Sequence, residues 1–63
     1  MYTLYINKKE YYFEFLIQLF VFLHQRRNHK FCIVNEFLDL VIAAGRINVD
    51  GTVIMTRINN NYV

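Results

Sequence analysis

Two sets of side chains in this 63-residue chain could do chemistry by type and spacing. The first is cationic: Arg26, Arg27 and Lys30 in the run "RRNHK", and Arg46 and Arg57 on either side of an Asp-Gly turn. Guanidinium groups make forked, charge-assisted hydrogen bonds to phosphate oxygens, so gathered on one surface they would grip a phosphodiester chain. The second is the irregular H-x4-H-x2-C of His24, His29 and Cys32. Zinc takes about four ligands, and the chain holds no second cysteine pair, so no metal or other cofactor is expected of it. Nor is catalysis. There is no serine, no glycine-rich phosphate loop, and the lone cysteine lies in the apolar run "FCIV", where a thiolate is disfavoured. Glu36 and Asp39 read as a solvated helix face.

Composition bounds the molecule. A chain this short is one domain, 1–63, and buries only about 60% of the surface its unfolded form exposes. Yet 56% of its residues are apolar, with five Tyr and six Phe, more than one small core readily covers. A face for self-association as a homodimer, or for a partner, is expected. The net charge of +2 permits a polyanionic partner without demanding one. A single cysteine excludes an intrachain disulfide, and no signal peptide or stop-transfer pattern is visible, which points to a cytoplasmic setting. The greasiest run, "FEFLIQLFVFLH", falls short of the roughly 20 apolar residues of a membrane span.

The elements that must position these groups follow from periodicity. "YTLYI", Tyr2 to Ile6, alternates as a strand and "NKK" breaks it. From Glu10 to about Arg26, the spacing of Tyr12, Leu16, Leu19, Phe20 and Leu23 predicts a helix. Val21 and Phe22 intrude near its polar side and are the candidates for contact with another protein. Val34, Phe37, Leu38, Val41 and Ile42 predict a second helix, with Asn35 as one option for its cap and Gly45 closing it. "RINVDGTVIMTRI" predicts a hairpin with Asp50 and Gly51 as a two-residue type I′ turn. That register sets Arg46 opposite Met55, diagonal to Arg57, on one side of the ribbon. The tail "NNNYV" reads as frayed.

The string "VIAAGRINVDGTVIMTR", Val41 to Arg57, resembles the second half of the RNA-binding domain first described in ribosomal small-subunit protein four, in its small stand-alone bacterial form. The opening "YTLYINKKEYYFEF" is also similar to the start of that domain. The resemblance implies a compact α+β fold and recognition of structured RNA by a basic surface. It makes Gly45 the helix-ending glycine, Arg46 the exposed basic position after it, Asp50 and Gly51 the turn, and Thr56 and Arg57 the next strand. Asp39 and Asn48 stand where that family pattern has lysines.

The expectation is therefore an α+β domain, two helices packed on a short antiparallel sheet with a C-terminal β-hairpin. Its expected role is non-catalytic binding of structured RNA through Arg46, Arg57, Arg26, Arg27 and Lys30. The alternative is a small phage or mobile-element protein that binds or inhibits a host protein through the apolar surface around Val21 and Phe22.

Overall fold

The computed structural model describes residues 1–58, which form five antiparallel strands and one short helix. The tail "NNNYV" lies outside the described residues. In chain order the elements are β1 (Tyr2–Ile6), β2 (Lys9–Phe13), α1 (Leu16–His24), β3 (His29–Asn35), β4 (Leu40–Ile47) and β5 (Val53–Ile58). The sheet runs β2-β1-β3-β4-β5. Both β2 and β3 pair antiparallel with β1, so they run parallel to each other, and α1 is the crossover between them. This corrects the expected fold class: there is one helix, not two, and the sheet is the body of the molecule.

The first correction begins at Asn7 and Lys8, whose φ angles are 52° and 68°. Two consecutive residues at positive φ between the paired Ile6 and Lys9 make a two-residue type I′ hairpin. It folds "KEYYF" back as β2, so Glu10 to Phe13 is strand rather than the opening of a helix. Only Leu16 to His24 keeps the helical period. Gln18 Oε1 accepts from the Phe15 N–H (3.4 Å) at its start, and Asn28, at φ 63°, carries the chain out of it.

The second helix is absent for a related reason. Asn35 Oδ1 accepts from the N–H groups of Phe37 (3.0 Å) and Leu38 (3.3 Å), as an N-cap would. The turn it starts lasts four residues, and Asp39 at φ 54° reverses the chain into β4. The flanking segments "FCIV" and "LVI" are rich in β-branched residues, and each finds a strand partner: β3 pairs with β1 and β4, and β4 with β5. A β-bulge between Ile33 and Val34 leaves Ile42 as the extra residue, and Ile42 is buried. Gly45, expected to close a helix, stands in mid-strand, paired with Met55 of β5. A Cβ there would collide with the backbone carbonyl of Ile54.

One face of the sheet carries the core. Leu4 and Ile6 of β1, Phe31 and Ile33 of β3, and Ile42, Ala43 and Ile47 of β4 are buried with Leu19 and Leu23 of α1. Tyr2, Tyr11, Phe13, Leu16, Phe20, Phe22 and Val53 close its margin. The helix packs on β1 and β2, so the alternate strand residues form a face that no helix covers.

Candidate functional site

Register decides what that uncovered face presents. Lys30 of β3 pairs directly with Arg46 of β4, and Arg46 pairs with Ile54 of β5. In the adjacent row Tyr5 pairs with Glu10 on one side and Cys32 on the other, and Cys32 with Ala44, which pairs with Arg57. In the row beyond, Thr3 lies between Tyr12 and Val34.

Arg57 reaches this face through an irregularity. Regular pairing after Gly45–Met55 would set Thr56 against Ala44 and Arg57 against Ala43, on the core side. Instead the register shifts between Ala44 and Gly45, so Thr56 is the extra residue and Arg57 meets Ala44. The bulge is held by Thr56 Oγ1 donating to the Ala44 carbonyl (3.2 Å).

The β4–β5 connection also differs from the expected two-residue turn. Asn48 N–H donates to Thr52 O (2.9 Å), Gly51 N–H donates to Asn48 O (3.0 Å), and of the loop residues only Gly51 takes positive φ, at 91°. This is a three-residue loop, Val49 to Gly51, built as a type I turn followed by a left-handed glycine. It sets Arg46 opposite Ile54 rather than Met55, and Ile47 and Val53 pair on the core side. The two arginines share a face, but by a different register and with the help of a bulge.

The five candidate cations are not all together. Lys30, Arg46 and Arg57 lie on the open face. Arg46 Nη2 donates to Asn28 Oδ1 (2.8 Å), a neutral acceptor that fixes the guanidinium without cancelling its charge. Arg27 is exposed and rests against the hairpin loop, its Cζ 3.5 Å from where a Gly51 Cβ would stand, so it borders the same end of the sheet. Arg26 belongs elsewhere. Its guanidinium lies 4.4 Å from the Phe22 ring centroid, on the helix side, in a cation–π contact.

The protein-contact candidates separate as well. Phe22 packs on Tyr11 (4.6 Å between centroids) and Phe13 (5.4 Å), so its ring is engaged within the fold. Val21 is 55% exposed, and Ile17, one turn earlier, is 70% exposed. The apolar spacing that marked Leu16, Leu19, Phe20 and Leu23 did not include Ile17.

Other groups have limited chemistry. Burial pushes the Cys32 thiol above its ordinary pKa, with Arg57 pulling the opposite way. Tyr12 donates its hydroxyl to Glu10 Oε2 (2.6 Å), a bond that raises the phenol's pKa. Among the described residues no pocket opens in the surface, no group of three His, Cys, Asp or Glu could hold a metal ion, and no helix is long and apolar enough to cross a membrane. His29, which pairs with Ile47 on the core side, and Cys32 on the open face point to opposite sides of β3.

Comparison with protein-family models, with curated proteins and with solved structures gives no match to this chain.

Proposed function

We propose that this protein binds RNA without catalysis through the open face of its sheet, with Lys30, Arg46 and Arg57 on phosphate oxygens and Arg27 at the rim. One observation carries the reading: Lys30 and Arg46 are direct cross-strand partners. Like charges set opposite each other cost a sheet stability. An anion bridging them would turn that repulsion into two attractions, and the bulged Arg57 adds a third cation on the same face. A flat cationic face suits a ligand held through its phosphate backbone. The β4–β5 hairpin, which could otherwise enter a DNA major groove, is tipped by Asp50, a poor neighbour for phosphate.

The test is binding to a labelled RNA over a salt series. Three phosphate contacts to single-stranded RNA predict a slope of about −2 in log affinity against log salt, from roughly 0.7 per contact. Arg46→Ala with Arg57→Ala should flatten that slope. Lys30→Glu is the sharper variant. By giving Arg46 an opposite charge across the strand it should raise stability by about 0.2–1 kcal/mol while weakening binding. Salt-independent affinity, or binding unchanged in these variants, would sink the proposal.

A second reading is favoured by the outer side of α1, where Ile17 and Val21 lie one turn apart and exposed. This pair is an apolar stripe to which another protein could bind, with Val21 retained and Phe22 replaced as the contact. Loss of activity in cells on Val21→Asp, with RNA affinity and folding intact, would select this reading over the first.

A further inference from the structure

The open face is divided by charge. Its cations lie on β3, β4 and β5, whereas β1 and β2 present Tyr5, Tyr12 and Glu10. Partial desolvation, and then the field of Glu10, its cross-strand partner, hold the Tyr5 phenol above its ordinary pKa. Between the two halves, Cys32 and Ala44 form a floor of small side chains.

Neither tyrosine belongs to the core packing. Tyr2 and Tyr11 pack against the helix-side cluster, while Tyr12 is 60% exposed and Tyr5 half-buried on the opposite face. The bond from Tyr12 to Glu10 fixes one ring at its hydroxyl and leaves the exposed ring available to a flat partner. A nucleobase stacks on such a ring whatever its identity, because every base has a π-face.

Resting on the RNA-binding reading above, we infer that the element recognised is an unpaired segment, its bases stacked on Tyr5 and Tyr12 and its phosphates held by Lys30, Arg46 and Arg57. A duplex lying across the face would bring its second backbone over β1 and β2, where the open face presents Glu10 and the tyrosines and no cation. A single strand has one backbone to place. It runs along the cationic half and turns its bases over Cys32 and Ala44 toward the tyrosines. From β1 to β5 is three strand spacings, roughly 14 Å between backbones. The arginine and tyrosine side chains reach inward from both borders of that strip.

The experiment compares a labelled oligouridylate of about 12 nucleotides, within the span such sheet platforms cover, with a duplex RNA of the same length. The single strand should bind about tenfold tighter or more. Tyr5→Ala and Tyr12→Ala should each weaken it about fivefold or more, and Tyr5→Phe and Tyr12→Phe should leave it within about twofold, since stacking needs the ring and not the hydroxyl. Should the alanine variants unfold, photocrosslinking of 5-iodouridine in the same oligonucleotide to the unmodified protein decides, with attachment at Tyr5 or Tyr12 expected. Equal or tighter duplex binding, or crosslinks confined to other residues, overturns the stacking inference and leaves the phosphate-binding reading standing. Failure of both RNAs to bind overturns both.

Discussion

At the scale of single residues, four non-glycine positions among those described, Asn7, Lys8, Asn28 and Asp39, hold positive φ where the chain turns. Asn35 was legible as a capping residue and does accept two backbone N–H groups, yet the segment after it reverses into a strand. Lys8 belongs to the "NKK" that breaks the first strand. It sits at φ 68° in a turn position that glycine occupies more cheaply, so Lys8→Gly should raise stability by up to about 1 kcal/mol, read as a shift of the denaturation midpoint. Thr3 is wholly buried and its Oγ1 finds no hydrogen-bond partner. Replacing it with the isosteric valine removes that unsatisfied group, and Thr3→Val should stabilise by about 1 kcal/mol in the same measurement. Asp50 gives a pH signature. The backbone N–H of Thr52 bonds its carboxylate at 2.9 Å and, with Arg27 adding to the effect, holds its pKa below the ordinary carboxylate value. A carboxylate depressed in the folded state contributes its full stability above the unfolded-state pKa and loses it as pH falls through the folded value. Asp50→Asn should therefore reduce the pH dependence of stability on the acid side and leave the alkaline side unchanged.

At the scale of elements, the outcome turned on which hairpin received the type I′ turn. Asp-Gly carries the familiar signal, yet the three-residue loop at Val49–Gly51 closes β4–β5, while the less conspicuous Asn7–Lys8 makes the two-residue turn. Helical spacing through Tyr12 was coincidental, because Tyr12 lies in β2 and faces away from Leu16, Leu19 and Leu23. Gly45 shows how one residue supports two explanations. A glycine after an apolar run reads as a helix end, but here the absence of a side chain lets β5 come close. Gly45→Ala should cost about 1–3 kcal/mol through the clash with the Ile54 carbonyl. Because the same pairing sets Arg57 on the open face, RNA affinity should fall with it.

At the scale of the whole molecule, among the described residues one nine-residue helix packs on one side of a five-stranded sheet and no helix covers the other. A domain of this length has a stability of only about 3–9 kcal/mol. Truncating either buried helix leucine costs about 2–5 kcal/mol, so Leu19→Ala or Leu23→Ala should remove about half of that stability, read by circular dichroism as a markedly lowered melting midpoint. Val21→Ala, at an exposed position on the same helix, should leave the melting curve nearly unchanged. What the sequence by itself determined was local: a first strand, a helix whose predicted span of Glu10 to about Arg26 shrinks to Leu16–His24, a final hairpin, an apolar surplus and the identity of the cations. Only tertiary structure decided that 29–47 would be two strands rather than a loop and a helix, since their apolar residues satisfy either period and the choice belongs to pairing with β1 and β5. Tertiary structure likewise divided the cations, because a bulge of one residue at Thr56 turns Arg57 from one face to the other, and no local pattern encodes where a partner strand will slip.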